Sequence, residues 1–108
     1  MKLKDGTIGF QSLSPQLLLG LWIIDQVMQR HGQEALVTSL NDGTHSHTSL
    51  HNSGNAADLR SRFFGDKQAV LQDCKEALGM SVHYDMILES EGQPNEHFHL
   101  EYQPKTIR

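Results

Sequence analysis

Five of the seven histidines in this 108-residue chain fall in two stretches, 45–51 and 97–99. Acids accompany both: Asp58 follows His51 by seven positions, and Glu96 precedes His97 and His99. Neutral imidazole and carboxylate are the donors catalytic zinc takes, with three protein ligands and a fourth position left for water. If 97–102 is a strand, His97, His99 and Glu101 share one face, and Phe98, Leu100 and Tyr102 the other. A polar row of that kind is expensive to bury unless something pairs with it. His51 and Asp58 must reach it from other elements. Gly54 permits a tight turn, and small Ala56 and Ala57 allow close approach. The expectation is a single divalent ion held between a loop and a strand.

The rest of the chain has to build the frame. Its length suits one domain over 1–108, and 37% hydrophobic with 20% charged residues allows a modest core. The net charge of −4 speaks against a nucleic-acid partner, which would ask for a basic face. The lone Cys74 excludes an internal disulfide and reads as a small buried filler. No apolar run is long enough to insert in a membrane. The apolar stretch 17–24 is separated from Lys2 and Lys4 by polar and turn residues and lacks a small-residue cleavage site. A signal peptide is therefore not expected, and the product is expected to be cytoplasmic as synthesised and monomeric.

Ser14-Pro15 is a capped helix start. The spacing predicts a helix over 15–31 with Leu17, Leu21, Ile24 and Met28 on one face, widened by Leu18, Trp22 and Ile23, and with Trp22 in the core. Strands are expected over 35–40 and 56–60. A second helix is expected over 66–79, with Val70, Leu71, Cys74, Ala77 and Leu78 inward and Gly79 closing it. The segments 82–89 and 97–103 read as an antiparallel hairpin joined by a turn over 90–95. The fold class is α+β, two helices packed on one face of a small antiparallel sheet.

The run Ser-x-His-x-x-Gly-x-Ala-x-Asp, carried by Ser49, His51, Gly54, Ala56 and Asp58, resembles that of the zinc D-Ala-D-Ala peptidases. His97-x-His99 is similar to the second half of the signature they share with lysostaphin-type peptidases and the hedgehog signalling domain. The chain looks most like the short, phage-type carboxypeptidases and endopeptidases of that group. Their pattern includes a Leu-Ser-Pro helix start (13–15), a Val-Thr-Ser strand (37–39), Asp-Gly-x-His (42–45), Asp-Leu-Arg (58–60) and a His-x-His-x-Glu-Tyr strand (97–102). The likeness spans about 13–104.

The resemblance implies a hedgehog/DD-peptidase-like fold and one Zn2+ ion held by His51, Asp58 and His99. It also implies hydrolysis of an amide bond in peptidoglycan peptides, with the enzyme reaching the cell wall after lysis or through another factor. A general base must take a proton from water and hand it to the leaving amine. The family position, three residues before the last histidine, is Glu96, although its strand parity is opposite to that of His99. Glu89 is its rival. His97 is expected to orient water and substrate and to help stabilise the oxyanion. Arg60 is the candidate for binding a substrate carboxylate, with Arg62 and Arg30 weaker choices, and His45 is expected to border the cleft. A non-catalytic zinc-binding recognition module is the alternative, decided by whether Glu96 or Glu89 can approach the metal's water.

Overall fold

The computed structural model describes residues 1–5, 13–40, 55–79 and 83–103. Two helices and five strands follow in the order β1 (Lys2–Leu3), α1 (Pro15–Arg30), β2 (Leu36–Ser39), β3 (Ala56–Arg60), α2 (Lys67–Ala77), β4 (Tyr84–Glu89) and β5 (His97–Tyr102). The strands form one sheet in the order β1-β2-β3-β5-β4. β2, β3, β5 and β4 pair antiparallel, as expected. The sheet is nevertheless mixed, because β1 lies parallel to the outer side of β2. Two backbone bonds hold it there, Lys2 N–H to the Ala35 carbonyl and Lys4 N–H to the Val37 carbonyl, each 2.8 Å.

Local chemistry sets both helix starts. Ser14 Oγ accepts the Leu17 N–H at 3.1 Å ahead of Pro15, and the Asp66 carboxylate accepts the Ala69 N–H at 3.0 Å. Positive φ at Gly32 and Gly79 lets the chain turn away after each helix. The α1 stripe of Leu17, Leu21, Ile24 and Met28 is buried, as its period requires. Trp22 is not core: it lies well off that stripe at about 100° per residue and is 58% exposed. Leu18 and Ala77 also face outward, against expectation. Burial pushes the Cys74 thiol up to about 12, so it is an inert core group.

The helices cover one face of the sheet. Leu17, Leu21, Ile24, Val70 and Cys74 join Val37, Leu59, Met86, Phe98 and Leu100 in a single apolar cluster, with Phe64 edge-on to Phe98. Tyr84 bridges the layers, donating its hydroxyl to the Gln16 carbonyl at 2.6 Å while its ring passes over Gly20. A buried Asp25 ties α1 to the start of β2 by accepting the Ala35 N–H at 2.9 Å. The other face of the sheet carries the polar residues.

Candidate metal centre

Strand alternation turns Asp58 and Arg60 of β3, His97, His99 and Glu101 of β5, and Ile87 and Glu89 of β4 to the face opposite the helices. The register sorts them into rows. Asp58, His99 and Ile87 stand side by side, and so do Arg60, His97 and Glu89. Directly opposed residues of an antiparallel pair have Cβ atoms about 4.5–5.5 Å apart, so each row is a set of touching side chains.

Four donors converge from these rows. One ligand atom from each of Asp58, Glu89, His97 and His99 lies within 4.8 Å of the other three, a group that could hold a metal ion. His99 Nδ1 lies 2.6 Å from Asp58 Oδ1 and 3.5 Å from Glu89 Oε1. His97 Nε2 lies 3.6 Å from both Asp58 Oδ1 and Glu89 Oε1. The edge of a tetrahedron with arms of about 2.0–2.1 Å, the zinc–nitrogen and zinc–oxygen distances, is about 3.3–3.4 Å. Three of the four separations are close to that edge. The fourth is a hydrogen bond. Two imidazoles with two carboxylates is a mixed N/O set that suits zinc and its transition-metal neighbours better than calcium or magnesium.

The ring nitrogens are sorted by their partners. His97 Nδ1 lies 2.8 Å from the Asn95 carbonyl, which can only accept, so it carries the proton. With the Nδ1 proton committed to that carbonyl, Nε2 is the ring nitrogen turned to the cluster, where it can serve as a ligand or a proton acceptor. Stabilising an oxyanion would require the doubly protonated ring. His99 is clamped on both sides, with Nε2 2.6 Å from Glu101 Oε1. Burial favours its neutral form, but the hydrogen bonds to Asp58 and Glu101 outweigh this and raise its pKa to about 9. The imidazolium proton occupies the place a metal charge would take. Glu101, which also accepts from the Gln103 amide, fixes the ring in the manner of a carboxylate behind a metal-binding histidine.

Two of the three expected metal ligands, Asp58 and His99, are thus brought together. His51, the third, lies outside the described residues, as does His45. Of the two candidate bases, Glu89 is in the cluster. Glu96 is engaged elsewhere: it accepts from Ser61 Oγ at 2.6 Å and from the Gly92 N–H at 3.0 Å, and pairs with Lys67 at 2.6 Å. The Lys67 ammonium, then Ser61 and Gly92, hold its carboxyl well below the usual range, at about 2. Its opposite strand parity points it away from His99, and it serves as the anchor of the 90–95 turn. That turn carries the Asn95 carbonyl, so Glu96 supports His97 at one remove.

Arg60 flanks His97 as its β3 partner and lines a cleft of about 600 Å³ that also takes in Asp58 and His97. Glu101 belongs to the His-x-His-x-Glu-Tyr strand and Glu89 is the expected rival base; the β4–β5 register is what sets Glu89 beside His97. Comparison of the chain with protein-family models, with curated proteins and with solved structures finds no match.

Proposed function

We propose that this chain is a zinc-dependent peptidase that hydrolyses an amide bond in bacterial cell-wall peptides, of DD-carboxypeptidase or endopeptidase type. The observation that carries the reading is the Asp58–His99 pair, flanked by His97 and Glu89 on a half-open sheet face. Asp58 and His99, joined by His51 from the Ser-x-His motif, would hold the ion. When bound, zinc supplies a Lewis acid for the scissile carbonyl and lowers the pKa of water toward neutrality.

The chain's own groups supply the remainder. Glu89 accepts a proton from the attacking water and passes it to the departing nitrogen, the exchange an amide cleavage needs. His97 Nε2, 3.6 Å from Glu89 Oε1, is a second acceptor within reach. Once protonated, it becomes a donor toward the developing oxyanion. Glu101 keeps His99 oriented, and Arg60 binds a substrate carboxylate through its two-pronged guanidinium.

The deciding experiment incubates the zinc-loaded protein with purified peptidoglycan and with D-Ala-D-Ala peptides and follows newly released amines by mass spectrometry. Zinc-dependent release that is lost on Glu89→Gln is the expected result. A protein that holds one zinc and releases nothing would instead be a recognition module built on the same metal site.

A further inference from the structure

The cleft beside the metal centre holds more positive charge than one substrate carboxylate needs. Lys4 after β1, Arg60 on β3 and Arg62 in the following turn all line it. Its fourth cation, Lys67, is consumed by Glu96 at 2.6 Å. Its two carboxylates are also committed, Glu96 to Lys67 and Ser61, and Asp58 to His99. Among the described residues, Lys4, Arg60 and Arg62 form no ion pair. Three cations in one concavity that no described carboxylate pairs, in a chain with net charge −4, concentrate a local positive potential.

The two arginines are also pre-ordered. Their guanidinium carbons stand 5.8 Å (Arg60) and 5.1 Å (Arg62) from the centroid of the Phe63 ring, which is 58% exposed. Stacking on an aromatic uses the flat face of the guanidinium and leaves its N–H edges free for a bidentate acceptor. Phe63 therefore holds the two cleft-lining forks against one ring.

We propose that Lys4 and Arg62 form a second anion subsite that binds an additional carboxylate of an acidic peptide, so that the preferred substrate carries at least two. The inference rests on the peptidase reading, in which Arg60 is already assigned to one carboxylate. A peptide is favoured over a polyphosphate chain because the cleft opens directly onto Asp58 and His97. A ligand seated in it is therefore continuous with the bond presented to the metal centre.

Two synthetic pentapeptides test this: L-Ala-γ-D-Glu-L-Lys-D-Ala-D-Ala, and the same peptide with the glutamate α-carboxylate amidated. Binding of each to the full chain is measured by titration calorimetry and by amide chemical shifts, so that turnover is not needed. The acidic form is expected to bind about tenfold more tightly. Arg62→Ala and Lys4→Ala should each shrink that gap, while Arg60→Ala should weaken both peptides alike. Arg62 and Lys4 are exposed, and unchanged melting temperatures would show that the variants remain folded. Equal binding of the two peptides, an undiminished gap in Arg62→Ala, or tighter binding of a polyphosphate than of either peptide would overturn the proposal. Should neither peptide be cleaved while the gap persists, the peptidase reading fails and the anion subsite stands. Cleavage of both with equal affinity has the reverse meaning.

Discussion

Asp58 and His99 are register partners on adjacent strands, with Oδ1 and Nδ1 2.6 Å apart on the sheet face that the helices leave open. In the metal-free protein a proton joins them, and this has a measurable signature. The His99 pKa is about 9 when folded against an ordinary 6.5. A group whose pKa rises on folding stabilises fully below its unfolded value and loses that contribution as pH climbs through the folded one. Chelator-treated protein should thus lose on the order of 1–2 kcal/mol between pH 6.5 and 9, after discounting the shift for partial exposure. Thermal melts across that window check it, and His99→Gln should flatten the curve.

Metal uptake must expel the same proton. One zinc per chain is expected, with affinity rising about tenfold per pH unit below pH 9 as the His99 imidazolium is discharged. Calorimetry in buffers of different ionisation heat would count the protons released. Asp58→Asn or His99→Ala should each lower the affinity at least about 100-fold. Saturating zinc should raise the melting temperature, with a gain of about 3 kcal/mol when free zinc is 100 times its Kd.

The two glutamates should separate cleanly. Glu89→Gln removes the acceptor within the cluster and should cut kcat by about 10²–10⁴ with metal still bound. Glu96→Gln should preserve turnover far better and lower stability, because it removes the charge paired with Lys67 and one of the two oxygens that accept from Ser61 and Gly92. The Glu96 carboxyl sits at about 2 when folded. A group with a depressed pKa stabilises above its unfolded value, so this contribution is lost as pH falls from about 4.5 toward 2. Acid melts of wild type and Glu96→Gln should converge at the bottom of that range. Equal loss of kcat in both variants would remove the assignment of Glu89.

Gly20 tests the layer beneath. A Cβ there would stand 2.7 Å from Tyr84 Cε1, and the ring cannot swing away without releasing the Gln16 carbonyl from its hydroxyl. Alanine normally favours a helix over glycine by about 1 kcal/mol. At this position the clash should reverse the sign, destabilising by about 1–3 kcal/mol as overpacking does. Denaturant midpoints would read it.

The chain announces its core strand openly, because Phe98 and Leu100 alternate with His97 and His99 and only one register buries the first pair. The same holds for Leu59 against Asp58 and Arg60. β1 leaves no such mark: two residues with no period become a strand only because the edge of β2 accepts them. Glu89 is named from the sequence as a rival base, but its place beside His97 is a property of the β4–β5 register rather than of any local spacing. Nor does the motif position of Glu96 reveal its partner, Lys67, which lies 29 positions earlier on another element.

The two-faced construction of β5 also ties assembly to competence. Sliding that strand by one residue would bury both imidazoles among the helices and strip the interior of its phenylalanine and leucine, a mistake the molecule could not survive as a stable fold. Any copy that passes into the native state therefore carries its donors already aimed outward, and no well-folded population with a scrambled centre should exist to compete with it.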